Sequence, residues 1–383
     1  MDKKNKNPNV PNLRFNNNPY KKYNLYEFAT RVTRKNKDNV SNLPLTISAQ
    51  YGLVDQVSFF NKTVASKDMS GYYLLKNGEF AYNKSYSNDY PWGAIKRLDL
   101  YNMGCLSTLY ICFKSNDNIV NSNYLVHYFE SPKWHKQVAD IAGEGARNHG
   151  LLNIAVNDFF NTKHAVPTIE NQIKIARFLD LIEERIQTQI KIINDYKLLK
   201  KYITKSFIKQ KGTSYLLSEI AELGRGRVIS SAEISKQKNP IYPVYSSQTS
   251  NNGVMGYLDN YDYEGEYITW TTDGANAGTV YYRNGKFNCT NVCGILKIKN
   301  GYDAYYISNI LNCYTKKYVS TNLANPKLMN NVMANIKINL PSIERQKYFS
   351  NILKAIEYRV KIEQDIKLNL VKQKVFLLKN MFL

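Results

Sequence analysis

Two segments of this chain open in the same way and then continue as long amphipathic helices. Val166-Pro-Thr-Ile-Glu-Asn-Gln172 opens the first, and Leu340-Pro-Ser-Ile-Glu-Arg-Gln346 opens the second, with Pro167 and Pro341 174 residues apart. Alternating steps of four and three from Ile175 meet Ile175, Leu179, Ile182, Ile186, Gln189, Ile193, Tyr196, Lys200, Ile203 and Phe207. The same walk from Phe349 meets Phe349, Leu353, Ile356, Val360, Glu363, Lys367, Leu370, Lys374, Leu377 and Met381. Eight and seven of the ten are apolar, and two polar breaks coincide, Gln189 with Glu363 and Lys200 with Lys374. A sustained apolar period of 3.5 residues is a coiled-coil seam. Proline suits a helix start because its missing N–H would have no intrahelical partner there. Thr168 and Ser342 are the candidate N-caps. The pattern predicts helices over 167–211 and 341–383. Their seam is Ile175, Leu179, Ile182, Ile186, Ile193, Tyr196, Ile203 and Phe207 on the first, and Phe349, Leu353, Ile356, Val360, Leu370 and Leu377 on the second.

The segments before the two helices also repeat. Leu25-Tyr-Glu-Phe-Ala29 matches Leu217-Ser-Glu-Ile-Ala221, and Ser48-Ala-Gln50 before Gly52 matches Ser246-Ser-Gln248 before Gly253. Predicted strands lie at 43–48, 71–75, 79–83 and, most clearly, 106–114, which corresponds to 292–299. A predicted helix at 123–142 has its counterpart from Tyr306. An α+β fold follows: two tandem mixed α/β domains, 23–166 and 212–340, each feeding a long helix, behind a flexible polar tail at 1–22. This is an internal duplication. If the two seams pair, the second helix runs back along the first. The expected form is an antiparallel rod of roughly 60 Å at 1.5 Å per residue, with a pseudo-twofold relation between the domains.

Charge narrows the function. The 383 residues carry 52 Lys+Arg against 31 Asp+Glu, a formal net charge of +21. That excess favours a polyanionic partner, nucleic acid before an acidic membrane surface. A basic surface with no such partner is the other reading. The first residues are polar, without the apolar core of a signal peptide, and no apolar run reaches the roughly 20 residues of a membrane span. The expected location is cytoplasmic. Cys105, Cys112, Cys289, Cys293 and Cys313 lack metal-ligand spacing, and so do His127, His135, His149 and His164; reduced thiols and no zinc are expected.

No catalytic constellation stands out. Gly143-Glu-Gly145 lacks the third glycine of a dinucleotide loop, Asn148 standing in its place, and there is no phosphate-binding Gly-Lys-Ser/Thr loop. No Pro-Pro occurs, so the Asn/Asp-Pro-Pro-aromatic tetrad of an amino-methyltransferase is missing as well. Glu264, Glu266 and Asp273 read as scattered surface carboxylates.

Twin domains, each followed by Pro-x-Ile-Glu-x-Gln and a long helix, resemble the specificity subunit of type I restriction–modification systems, over nearly the whole chain. The segment 257–296, with Gly-Glu-Tyr-Ile-Thr-Trp-Thr-Thr-Asp-Gly inside it, looks like part of a target-recognition domain. Asn171 and Arg345 occupy a position that varies between the copies, and the first domain's pattern is less regular than the second's. The resemblance implies that each domain reads one half of a bipartite sequence in double-stranded DNA. It implies helices that set the gap and dock two modification (methyltransferase) subunits, with two restriction (motor and nuclease) subunits completing the complex. No cofactor would be bound by this chain: S-adenosylmethionine would serve the methyltransferase, and ATP and Mg the restriction subunit. The chain itself would be non-catalytic and have no membrane partner. A coiled-coil scaffold or binding protein with an incidental basic surface is the alternative.

Side chains suited to DNA fall mostly in loops. Gly224-Arg-Gly-Arg227 offers Arg225 and Arg227, and arginine pairs with guanine O6/N7 or with phosphate. A turn with solvated arginines is the other reading. Ser247, Gln248 and Asn251 lie in a polar run whose amides suit adenine N6/N7, or form an ordinary polar turn. Thr272 and Asp273 follow the strand ending at Trp270. The first domain offers Arg31, Arg34 and Lys35, then Gln50 and Tyr51, then Asn83 and Lys84, with Arg147 as a phosphate contact. The 31 tyrosines are read mainly as core-edge residues.

Overall fold

The computed structural model describes residues 11–15, 18–48, 51–86, 90–142, 150–208, 210–320 and 325–383. It divides into two compact units, residues 1–189 with 366–383, and residues 190–365. Each long helix therefore contributes one part to each unit.

In the first unit an antiparallel sheet runs in the order Ala29–Arg31, Ile111–Ser115, Phe80–Asn83, Ala94–Arg97. Two further antiparallel pairs belong to this unit: the hairpin Leu45–Ser48 with Gly52–Asp55, and Tyr73–Lys76 with Met103–Leu106. Lys21–Asn24 pairs with Lys163–Val166, so the first and last strands of the globular part close on each other. Tyr82 stacks on Phe159 at 5.0 Å and Phe80 on Phe113 at 5.3 Å, forming an aromatic core behind the sheet. Within the stretch expected as a flexible tail, the Leu13 amide donates to the Asn380 carbonyl (3.0 Å), and the Tyr20 hydroxyl donates to that of Met381 (3.2 Å).

The second unit repeats the plan with a larger sheet. Its order is Ala221–Arg225, Cys293–Ile298, Tyr263–Thr271, Val280–Cys289, Tyr242–Tyr245, Val254–Leu258. All pairings are antiparallel except that of Tyr242–Tyr245 with Val280–Cys289. Thr213–Leu216 pairs with Lys337–Leu340, closing this unit as Lys163–Val166 closes the first. Trp270 is fully buried and donates its indole N–H to the Leu328 carbonyl at 2.9 Å. Gly294 lies against its ring, where a Cβ would come within 2.2 Å of the indole.

The two long helices span Ile169–Ile208 and Ile343–Asn380, 40 and 38 residues. Their opening motifs act identically. The Gln172 side-chain amide donates to the Pro167 carbonyl (2.9 Å), and its oxygen accepts from the Asn121 amide (2.7 Å). Gln346 donates to Pro341 (2.8 Å) and accepts from the Asp303 amide (3.0 Å). Asn121 and Asp303 are the N-caps of helices Ser122–Glu130 and Ala304–Tyr314. The motif glutamine thus ties each long helix to the capped start of a helix in the domain before it, and both glutamines are buried.

In the first unit the early part of the first long helix meets the end of the second, where Lys374 binds Glu183 at 2.7 Å. In the second unit the late part of the first meets the start of the second: Lys200 pairs with Glu357, and Phe207 stacks on Phe349 at 3.5 Å. Within the second unit residue numbers rise on one helix, from Lys200 to Phe207, as they fall on the other, from Glu357 to Phe349, so the pairing there is antiparallel. Glu183 and Glu357, like Lys200 and Lys374, are 174 positions apart, so one ion pair is made twice. Ten predicted seam residues are buried: Ile175, Leu179, Ile182, Ile186, Ile193, Phe207, Phe349, Leu353, Ile356 and Leu377. Tyr196, Ile203, Val360 and Leu370 are half-buried. Each buried aliphatic contributes about 1.5–3 kcal/mol, against about 0–1 kcal/mol for an exposed ion pair such as Lys200–Glu357. The seam therefore holds the helices together, and the ion pairs set their register.

Two predicted elements are broken. The strand expected over 106–114 is two, Met103–Leu106 and Ile111–Ser115, which belong to different sheets. A turn at Ser107 separates them, its carbonyl accepting from the Tyr110 amide, and Leu109 is 61% exposed rather than in the core. The helix expected over 123–142 ends at Glu130 and resumes through a short 3-10 turn into His135–Ile141. Pro132 causes the break: it lacks an N–H and forces Ser131 into an extended conformation (φ −77°, ψ 158°).

One buried histidine makes the first unit acid-sensitive. His164 sits between the Tyr128 hydroxyl at Nδ1 and the Thr162 hydroxyl at Nε2, each at 2.8 Å. Burial pushes its pKa from 6.5 down to about 4. The unfolded chain binds this proton near pH 6.5, whereas the folded chain resists it until about pH 4. Stability present above pH 6.5 is therefore lost as pH falls toward 4, by about 3 kcal/mol. Unfolding midpoints measured across that window should drop, and His164→Gln should flatten the drop. An identical profile in the variant would refute the assignment.

Candidate nucleic-acid interface

In the second unit, three loops gather around a cleft of about 470 Å³. Ser246, Ser247 and Gln248 come from the loop after Tyr242–Tyr245, and Asp273 and Asn276 from the turn between Tyr263–Thr271 and Val280–Cys289. Thr290 and Asn291 come from the short turn before Cys293–Ile298. The sequence singled out the first two loops separately, and the fold brings them together. The Asn276 amide joins them by donating to the Thr249 hydroxyl at 3.2 Å.

Local chemistry fixes these loops. Asn251, Asn252 and Gly253 all take positive φ (46°, 53° and 83°), a left-handed run that asparagine and glycine tolerate and most residues do not. The Gln248 side-chain amide donates to the Val254 carbonyl, and the Ser246 amide donates to the Gly253 carbonyl (3.0 Å), closing the loop. Asn251 is exposed at its tip. Thr272 is buried and donates to the Asp273 carboxylate at 2.6 Å, which also lies 3.7 Å from the Lys327 ammonium.

The two arginines of the glycine-rich loop differ. Arg227 is held by Glu233 (2.7 Å) and Asp262 (3.0 Å). Arg225 is exposed, with its Nε 3.3 Å from the Asn330 side-chain oxygen. Gly226 between them is required by close backbone approach, since a Cβ there would come within 2.0 Å of the Cys289 carbonyl oxygen.

Most of the described first-unit candidates are engaged by partners within their own domain. Arg34 forms a forked pair with the buried Glu79 (2.7 and 2.8 Å), an arrangement that organises the domain. Lys35 donates to the Gly71 carbonyl (2.7 Å) and lies over the Tyr73 ring, and an Arg31 Nη lies 3.5 Å from the Tyr73 hydroxyl. Tyr51 is 62% exposed in the turn between Leu45–Ser48 and Gly52–Asp55. Asn83 accepts from the Ser85 amide (3.0 Å), and Lys84 reaches the Ile154 carbonyl at 3.5 Å. Gln50, Arg147 and His149 lie outside the described residues.

Sequence reasoning missed Thr290, Asn291 and Arg283. Arg283 lies in a strand, where an arginine on a tyrosine-rich segment reads as solvated; only its alternation with Tyr281 hinted at burial. Among the described residues no three His, Cys, Asp or Glu side chains gather as a metal site. No helix among them is long and apolar enough to cross a membrane.

Comparison with known proteins adds an independent line. Residues 211–373 match the family model described as the type I restriction modification DNA specificity domain. A Mycoplasma pneumoniae protein named as a type I specificity subunit is 39% identical over 196 residues, 50% of this chain and 81% of the relative. The specificity subunit of the MpnII type I restriction enzyme, from the same organism, is 42% identical over 146 residues, 38% of this chain and 43% of its own. The crystal structure of the S subunit of a type I restriction–modification system from M. genitalium superposes with a TM-score of 0.59 at 15% identity, covering 98% of this chain and 99% of that one.

Proposed function

Because this chain belongs to the specificity subunits of type I restriction–modification systems, we propose that its duplicated plan is a division of labour between two DNA readers. The chain is the non-catalytic DNA specificity component of such a system. Domain 23–166 reads one half of a bipartite duplex sequence and domain 212–340 reads the other. The helices over 167–211 and 341–383 set the unread gap and dock two modification subunits, and two restriction subunits complete the assembly. Chemistry belongs to the partners: S-adenosylmethionine in the methyltransferase, ATP and Mg in the restriction subunit. The complex works in the cytoplasm, where its DNA is.

The observation that carries this reading is the repeated junction. Gln172 and Gln346 fasten each long helix to its own domain through the same bonds, and the Glu183–Lys374 and Glu357–Lys200 pairs fix one helix on the other twice. Such joints transmit a fixed geometry from helix to reader. The second-unit cleft supports the reading role, because its donors and acceptors are held on short tied loops. The formal charge of +21 suits a phosphate backbone.

Methylome sequencing tests the proposal. A host carrying this gene beside its methyltransferase should show methylated adenine in a two-part motif with an unread gap, and deletion of the gene should abolish it. Methylation that persists after deletion, or a continuous motif, would sink it.

A further inference from the structure

We infer that Arg283 is the positioning residue that shapes the second reader's cleft and so sets the bases it accepts, an inference that rests on the proposed reading of that domain. Arg283 lies in Val280–Cys289 and is 4% exposed. Among the described residues it forms no ion pair; its partners are neutral. Its Nε donates to the Thr269 hydroxyl (3.2 Å) and an Nη donates to the Asn252 carbonyl (2.9 Å). The guanidinium lies 3.5 Å from the centroid of the Tyr245 ring and 4.4 Å from that of Tyr281.

A buried cation without a counter-charge is costly. Here cation–π contact with two rings offsets part of that cost. The arrangement joins the elements that build the cleft. Tyr245 is the last residue before the Ser246–Gly253 loop, and Asn252 is the middle of its left-handed run. Thr269 and Tyr281 stand on the two strands whose connecting turn carries Asp273 and Asn276. One side chain therefore holds one loop against the base of the other. Gly253 fits this role: a Cβ there would come within 3.1 Å of the Arg283 Nη. Arg283 is buried and does not line the cleft, so it acts through Ser247, Gln248 and Asn251 and not by touching DNA.

The full chain with its methyltransferase provides the test, read as the methylated motif and as cognate-over-mismatch preference on defined duplexes. R283K keeps the charge but loses the planar fork that reaches Thr269 and Asn252 together. G253A leaves Arg283 in place but crowds its Nη and strains the left-handed end of the loop that Arg283 holds. Both variants should broaden one half-site, with at least a tenfold fall in preference at one or more of its positions, and leave the other half-site unchanged. R283M should do the same more strongly; if it fails to fold, R283K and G253A decide. Folded variants whose two half-sites both stay intact, or weaken equally, overturn the inference. A wild-type chain that directs no two-part motif would instead bring down the proposed function itself.

Discussion

Lys374→Ala is expected to destabilise the first unit by about 3 kcal/mol or more, far beyond the few tenths typical of a surface lysine. Lys374 donates to Glu183 (2.7 Å) and lies 2.9 Å from Glu130, which Lys96 approaches at 3.2 Å from the sheet. Glu130 is half-buried, its side chain 24% exposed. Burial alone would raise its pKa, but Lys96 and then Lys374 outweigh it and hold the carboxyl at about 2. Burial lowers the pKa of Lys374, yet Glu130 and Glu183 more than offset this and hold it above the usual lysine value. Removing the lysine leaves a half-buried carboxylate with one partner in place of two. The sign with pH follows from linkage. The folded pKa of Glu130 lies below the unfolded value of about 4.5, so its contribution is fully present above that value and lost as pH falls toward 2. The deficit in Lys374→Ala should accordingly be largest near neutrality and shrink in acid. Glu130→Gln with Lys374→Met should recover part of the loss, because the Glu130 carboxylate is no longer left short of a partner, although Lys96 and Glu183 each lose an ion pair. Unfolding curves of the two singles and the double at pH 7 and pH 3 check this. A single-variant loss under about 1 kcal/mol, or simple additivity, would show that the cluster is only a solvated surface pair.

What the sequence disclosed divides by range. The seam was readable because its spacing is local: Ile175 to Phe207 and Phe349 to Leu377 announce their faces by period alone. The duplication was readable because both copies stand in one chain. Partners far along the chain were not. Arg34 looked free for DNA, but Glu79 lies 45 residues on, and Arg227 meets Asp262 35 residues on. The motif glutamine looked like a first-turn residue, and its buried bond to Asn121 depends on tertiary packing 51 residues away. At the candidate interface, polar loop composition identified Gln248 and Asp273. It gave no sign that Thr290 joins them, nor that Arg283 beneath is buried. The run over 106–114 misled because Leu109 and Tyr110 continue an apolar pattern through a turn. Solvent exposure of Leu109 is decided by sheet switching, which no periodicity records.

Removing residues 187–193 together with 361–367 should shorten the unread gap of the recognised motif and leave both half-sites as they were. On the proposed reading, the helices hold the readers apart, so helix length is the variable to change. The two deletions are 174 positions apart, and both lie between the repeated ion pairs, so Glu183–Lys374 and Lys200–Glu357 survive. The recognition cores also survive, since Leu179, Phe207, Phe349 and Leu353 lie outside the deleted segments. Gln189 and Glu363, the buried polar seam residues, leave together. Seven residues shorten a helix by about 10 Å, close to three base pairs at 3.4 Å each. They turn the helix face by only about 20°, whereas three base pairs turn the duplex by roughly 100°. Length should therefore be corrected more fully than rotation. The expected product is a motif with a gap about three base pairs shorter, modified more slowly than the original because DNA twist must absorb the remainder. Methylome sequencing reads the gap, and an unfolding midpoint close to wild type certifies the fold. An unchanged gap in a folded, active variant would show that something other than these helices measures the distance. A changed half-site would show that the helices shape the readers as well as separate them.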